Sequence, residues 1–216
     1  ALRGLGVDVV LADASPAQLR LAIDYGAGRA EATGDDPDLI VVATPPDVVA
    51  DVIERELRAY PRAVVTDVAS VKLEPLQQLQ ARGVDLTHYI GSHPLAGRER
   101  GGAIAARADI FVGRPWVVCR DGETPASDLA LVEGLALDLG ATPIEMTPEE
   151  HDRSVALVSH VPQLVASLLA GRFIDAPDDA LGLAGQGVRD TTRIAASAPE
   201  LWVQILGANA APVVDV

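Results

Sequence analysis

The chain has 216 residues, a formal net charge of −14, 49% hydrophobic residues and 22% charged ones. That length buries a sizeable core as one large domain or two small ones, and the acidic balance argues against non-specific binding to nucleic acid or an anionic membrane. A single cysteine, Cys119, excludes a disulfide framework and a cysteine-based zinc site. There is no run of about 18 apolar residues and no signal-peptide pattern, so the expected compartment is the cytoplasm.

Residues Ala1 to Gly6 read as the tail of a helix with a glycine stop. Val7 to Ala12 is an apolar run of strand length that closes on Asp13. Ser15, Pro16 and Gln18 form an S-x-x-Q capping box with proline at the first helical position, which predicts a helix over about 16 to 25. Leu39 to Ala43 is a second buried strand, ending at Thr44-Pro45-Pro46 before a helix of about 47 to 59. Ala63 to Thr66 is a third, running into Asp67, and Leu73, Leu76 and Leu79 mark one face of the next helix. A short apolar stretch ends at Ile90 before GSHPLAG, residues 91–97, which sets His93 beside Pro94 between glycines. The sheet is expected to continue through Trp116 to Cys119 and Pro143 to Met146, bridged by a helix of about 126 to 139. From a second capping box at Thr147-Pro148-Glu149-Glu150 onward the pattern is helical only, at about 148–171, 178–184, 189–196 and 198–209. A third capping box, Ser197-Ala198-Pro199-Glu200, opens the last of these.

Continuous apolar strands alternating with helices indicate a doubly wound, Rossmann-type parallel sheet covered on both faces, with ligands beyond the carboxyl ends of its strands. Asp13, Thr44, Asp67 to Ser70 and Ser92-His93 all fall at such ends. The expected division is a nucleotide-binding α/β domain over 1–147 and an all-helical domain over 148–216. Nucleotide-binding sheets of this kind begin with a strand, a G-x-G-x-x-G turn and a helix, with an acidic ribose ligand about 20 residues on. Asp13 fits the acidic residue, and its carboxylate is expected to accept from the ribose 2′-OH. Gly4 and Gly6 precede a strand rather than follow one, so the sheet is expected to lack its first strand and the chain to be a fragment.

Four motifs carry a resemblance: TDVASVK at 66–72, GSHPLAG at 91–97 with Glu99 just after it, HDRSVALVSHVPQ at 151–163 and GVRDTTRIA at 187–195. Together they resemble the prephenate and arogenate dehydrogenases of tyrosine biosynthesis, over nearly the whole chain. The resemblance implies a Rossmann domain paired with a helical domain that forms a homodimer. It implies oxidative decarboxylation of a cyclohexadienyl substrate with NAD or NADP, and an end shortened on either side.

Such a reaction removes hydride from C4 of the ring while a base takes the C4 hydroxyl proton, and carbon dioxide leaves from C1. His93 is the expected base, since an ordinary pKa of about 6.5 suits proton acceptance near neutrality. Ser70 resembles the family serine that hydrogen-bonds near the catalytic histidine and the nicotinamide; its alternative is a helix cap before Leu73. Lys72, the only lysine among 17 basic residues, is expected near the cofactor or as a surface cap. Arg193 is the expected carboxylate clamp, because a planar guanidinium binds a carboxylate through two bonds. Arg189 shares its helical face, and an ion-pair cluster with Asp190 is the alternative. Asp190 and Glu99 resemble acidic residues that close over the family's site. His151 and His160 lie nine residues apart and point to opposite faces of a straight helix, which Pro162 bends by removing the bond to Val158. One of them is therefore expected away from the site; by family position His160 lines the substrate, with Gln163 nearby. Thr44, Pro45, Asp67, Ser70 and Lys72 are expected on the cofactor side with Asp13. Ala14-Ser15-Pro16 offers no arginine for a 2′-phosphate, so NAD is expected over NADP, and no metal is expected. Prephenate, arogenate and dual specificity are not separated by these residues. A reading of another class, a non-catalytic ligand-binding remnant, stays open because the glycine-rich loop is absent from the sequence.

Overall fold

The computed structural model describes residues 1–97, 106–120 and 124–216. A short 3₁₀ turn at Leu2–Leu5 stops at Gly6, whose φ of 83° is the left-handed conformation that glycine adopts without strain. β1 (Val10–Leu11) and β2 (Arg29–Ala30) form a separate two-stranded parallel ladder joined through α1 (Pro16–Asp24). β1 is shorter than the apolar run from Val7 to Ala12, because β2 supplies bonding partners only from Val9 to Leu11. α1 starts as expected, with Pro16 in its first turn and the Ser15 hydroxyl accepting from the Gln18 N–H.

The main sheet has five strands in the order β3 (Leu39–Val42), β4 (Val64–Asp67), β5 (Tyr89–Pro94), β6 (Pro115–Cys119) and β7 (Thr142–Met146). α2 (Val49–Ala59) and α3 (Leu73–Ala81) cover one face, where Ile53, Leu57 and Leu79 pack on Val42, Val65 and Tyr89. α4 (Ala126–Asp138) covers the other, where Leu129, Val132 and Leu135 pack on Val64, Ile90, Trp116 and Val118. Val64 and Val65 are neighbours in β4 that serve opposite faces, the period-2 consequence of the pleat.

One expectation is corrected: the sheet is not wholly parallel. β3, β4 and β5 are parallel, and so are β6 and β7, but β5 and β6 pair antiparallel. A continuous apolar run reports that both faces are buried and carries no information on strand direction. The antiparallel partner also lengthens β5. Its ladder with β4 ends at Gly91, whereas pairing with β6 runs on through Ser92, His93 and Pro94.

Where β4 meets α3, Asp67 and Lys72, both expected on the cofactor side, lie in the interior. Both are essentially unexposed and ion-paired; Asp67 Oδ1 also accepts from the Ala69 N–H at 2.9 Å, and Oδ2 accepts from the Tyr89 hydroxyl at 2.8 Å.

The helical part begins with the predicted Thr147/Glu150 capping box on α5 (Pro148–Val155). The expected single helix to residue 171 is instead α5, a π turn at Ala156–His160 and α6 (Val161–Gly171). α7 (Asp178–Leu181), α8 (Gln186–Thr192), a 3₁₀ turn at Arg193–Ala196, α9 (Pro199–Ala208) and α10 (Ala210–Asp215) follow. Ser197 is not the cap of α9: its hydroxyl donates back to the Ile194 carbonyl at 2.8 Å, and Ala198 takes the cap position.

Lys72→Met strips the Asp67 carboxylate of its buried counter-charge. It is expected to lower the unfolding free energy by about 3–5 kcal/mol, read as a lower urea midpoint at unchanged slope. The double change Asp67→Asn with Lys72→Met is expected to recover part of that loss.

Candidate active site

His93 stands on the segment of β5 that only β6 holds, just past the end of the parallel ladder. By alternation it shares a face with Gly91 and Tyr89, the face of the Asp67–Lys72 pair. A Cβ on Gly91 would lie 3.3 Å from both the Lys72 side chain and the Tyr89 hydroxyl, so that face has little room for anything larger.

The His93 ring meets a second histidine, but not the expected one. Its Nδ1 lies 2.9 Å from Nε2 of His151, with ring centroids 5.1 Å apart and planes at 75°. His151 is fully buried, and its Nδ1 lies 2.7 Å from Oδ1 of Asp152. That carboxylate reaches across to the sheet half. Oδ1 accepts from the Lys72 N–H at 2.8 Å and Oδ2 from the Leu73 N–H at 2.9 Å. Two of the orphan N–H groups at the start of α3 are thus capped by a side chain 80 positions away. Ser70, half-buried in the loop before α3, is accordingly not needed as its cap.

His160 belongs to the same cluster. Its Nδ1 accepts from Asn209 Nδ2 at 2.9 Å, and the same amide donates to the Asp152 carbonyl at 2.8 Å. Its ring stands edge-on to Trp202, 6.0 Å between centroids. The π turn explains why both histidines converge although a straight helix would separate them. Pro162 has no N–H to give Val158, and the Val161 N–H bonds Ala156, five residues back, which widens the turn and shifts its phase. Burial holds His93 well below the ordinary histidine value, helped by the charges His151, Lys72 and His160 would carry. Burial likewise pushes His160 down to about 4, with Asp152 opposing.

Gln163, expected near the substrate, acts here as an anchor: its buried Nε2 donates to the Ile194 carbonyl at 3.1 Å and the Ser167 hydroxyl at 3.2 Å. It thereby pins the 3₁₀ turn that begins at Arg193. Arg193, Arg189 and Asp190 are exposed there, Asp190 accepting from Gln186 at 2.7 Å. Glu99 lies outside the described residues. On the opposite side, Asp13 is exposed at the end of β1, one oxygen accepting from the Ser15 N–H at 2.7 Å. Pro45 is exposed at the end of β3, and the Thr44 hydroxyl beside it is buried with no hydrogen-bond partner among the described residues. A donor orphaned at a strand's carboxyl end fits a bound polar group, and Asp13 fits a sugar hydroxyl.

Sequence reasoning missed Asp152 and Asn209. Pro148, His151, Asp152 and Val155 are the buried residues of α5, and their i, i+3, i+4, i+7 spacing placed Asp152 on a core-facing stripe. A carboxylate on such a stripe needs partners, which was the available signal. Asn209 carried none beyond its place between two helical runs.

Comparison with known proteins gives two family matches. Residues 1–145 match the family model described as the nucleotide-binding domain of prephenate dehydrogenase, and residues 147–216 match its dimerization domain. The chain is 41% identical to probable prephenate dehydrogenase NovF of Streptomyces niveus, over 99% of this chain and 59% of that protein. It is 30% identical to cyclohexadienyl dehydrogenase of Zymomonas mobilis, over 83% of this chain and 64% of that protein. The chain thus spans about three fifths of the length of these curated relatives. Among solved structures, prephenate dehydrogenase from Aquifex aeolicus in complex with hydroxyphenyl propionate and NAD+ aligns with a TM-score of 0.89 at 26% identity, over 99% of this chain and 78% of that one. Synechocystis arogenate dehydrogenase aligns at 0.80 with 28% identity, over 99% and 80%.

The depressed His160 makes folding pH-dependent. In the unfolded chain it titrates at about 6.5, in the folded protein at about 4. Between these values the unfolded state binds more protons, so stability present above the upper value is lost as pH falls to the lower one. The loss is expected to reach roughly 3 kcal/mol, and urea unfolding of His160→Gln across that interval should show a flatter dependence.

Proposed function

The chain belongs to the prephenate dehydrogenase family, and from that premise we propose that it carries the active site of an NAD-dependent prephenate dehydrogenase, which forms 4-hydroxyphenylpyruvate and carbon dioxide in tyrosine biosynthesis. The observation that carries the reading is a half-buried, neutral His93 at the carboxyl side of a Rossmann-type sheet, tied through Nδ1 to a hydrogen-bonded histidine. A neutral imidazole is the form that accepts a proton.

Asp13 would hold the adenosine ribose, with Thr44 and Pro45 lining the same rim and Ser70 facing the reacting end. NAD, when bound, supplies the hydride acceptor. His93 takes the proton of the C4 hydroxyl as the C4–H bond gives up its electron pair; the C1 carboxylate departs as carbon dioxide, and its bonding pair completes the aromatic ring. The tautomer imposed on His160 by Asn209 leaves its Nε2–H as a donor for a substrate oxygen. Arg193, on the turn pinned by Gln163, would pair with a substrate carboxylate. Arogenate, which carries an amine where prephenate has a ketone, is the second reading, favoured by the likeness to the Synechocystis arogenate dehydrogenase.

The division at residue 147 is part of the proposal, supported by the capping box that starts α5 there. So is a homodimer through the helical half, in the cytoplasm. The helical run Pro148–Gly171 is long and apolar enough to cross a membrane and is only 28% buried over its most apolar stretch. Val165, Leu168 and Val203 are each more than half exposed. A family half described as a dimerization domain supports a second copy as their cover.

His93→Asn is expected to lower kcat on prephenate by about 10²- to 10⁴-fold, as loss of a general base does, with KM little changed. Side-by-side kcat/KM on prephenate and arogenate assigns the substrate, and turnover of neither would refute the activity. Leu168→Asp is expected to shift the protein toward monomer in sedimentation velocity, and an unchanged dimer would exclude this face.

A further inference from the structure

We infer that His151 and Asp152 are positioning residues that lock His93 in the tautomer protonated at Nδ1, so that Nε2 is the basic atom offered to substrate. The inference rests on His93 being the base, and it adds which of its atoms acts and what selects that atom.

The protons are fixed in turn from Asp152 outward. An ionised carboxylate only accepts hydrogen bonds, and this one already accepts from the Lys72 and Leu73 N–H groups. Those donors hold it in place and favour its charged form. At 2.7 Å from Oδ1, His151 Nδ1 must therefore carry a proton. A neutral imidazole has one N–H, so Nε2 of His151 presents a lone pair. The 2.9 Å contact to His93 Nδ1 then needs its proton on His93. His93 Nε2 is left bare, on the side of the ring away from His151.

The competing arrangement makes His151 a cation, donates its Nε2–H to His93 and places the remaining His93 proton on Nε2, which blocks the base. It adds a positive charge to a fully buried residue. The charged and titratable groups facing this pair are Lys72 at the start of α3, His160 on the π turn and Asp152 on α5. Lys72 opposes the extra charge only in part, because Asp67 pairs with it; His160 is neutral, and Asp152 favours it. The desolvation of a fully buried cation is what counts against this arrangement. Once Nε2 has taken the substrate proton, the balance changes: the imidazolium of His93 donates to His151, which donates to the carboxylate, so Asp152 stabilises charge that exists only after proton transfer.

Because Asp152 also caps α3, the base is correctly set only while α5 is docked on the sheet half. A variant at Asp152 alone would mix that structural role with the electronic one, so the test reads the protons directly. In ¹⁵N-histidine-labelled protein at pH 7.5, long-range ¹H–¹⁵N spectra, with His93 assigned through His93→Asn, are expected to show His93 protonated at Nδ1 and bare at Nε2. In His151→Gln, which can donate to His93 Nδ1, the Nδ1-protonated signature is expected to be lost. There kcat on prephenate should fall about 10²-fold with KM within about threefold, and the acidic limb of the kcat–pH profile should move. A purely structural role would lower thermal stability and leave the His93 tautomer and pH profile where they were. A wild-type His93 carrying its proton on Nε2 overturns the inference, as does His151→Gln with unchanged tautomer and kcat. If wild type turns over neither prephenate nor arogenate yet shows the Nδ1 proton, the tautomer assignment is supported and the proposed reaction is refuted.

Discussion

The Asp152 carboxylate is the constraint on which the rest of this structure depends. It is 1% exposed, and an ionised group that deep is tolerated only when its lone pairs are met. They are met by two backbone N–H groups of α3 and one imidazole N–H, while Asn209 donates to the carbonyl of the same residue. One residue therefore caps a helix of the sheet half, orients a histidine of the helical half and receives the junction of α9 and α10. Moving any of these partners would leave a buried charge short of donors, so the cluster behaves as a unit.

Lys72 shows how tightly the unit is built. Its N–H serves Asp152 while its ammonium serves Asp67, so carboxylates from both halves converge on one residue. The space around that ammonium is bounded by Tyr89 and by Gly91, where even a Cβ would crowd the lysine side chain. A planar guanidinium is wider and demands several acceptors in one plane, whereas an ammonium fits at a point. That accounts for a lysine here in a chain that otherwise uses arginine.

What the sequence made legible follows from which interactions are local. The Ser15 cap and the Thr147 capping box were readable because cap and partner lie three residues apart, although the Ser15 N–H turns to Asp13 rather than to Gln18, and the strands because their apolar runs report burial. The direction of β6 was not readable, since burial on both faces is indifferent to polarity. Ser197 misled because its hydroxyl had a nearer acceptor, Ile194, than the helix it precedes. At the site, His93 announced itself through its glycine-flanked motif. The choice between His151 and His160 turned on helix phase, and that phase was altered by a π turn that Pro162 permits and tertiary contacts select. Asp152 was hidden for a related reason: its partners sit 79 and 80 positions away, in a backbone that no side-chain pattern describes.

The site divides its electrostatic work between two places. Burial keeps His93 and His160 neutral, and Lys72 is neutralised by Asp67, so the inner cluster offers a substrate hydrogen bonds and a proton acceptor but little net positive charge. The proposed substrate, with two carboxylates, would need positive charge from elsewhere in a chain of net charge −14. In the proposed reading the exposed arginines of α8 and the following 3₁₀ turn would supply it, in water-accessible positions where a guanidinium keeps its charge without the desolvation that the interior would impose. Gln163 joins the two places: its side chain lies inside the helical half, where Ser167 of its own helix accepts one amide bond, while the other supports the turn that carries Arg193. Recognition can then rely on flexible surface charge while the proton-accepting atom stays fixed, because the geometry each task requires is enforced by different bonds.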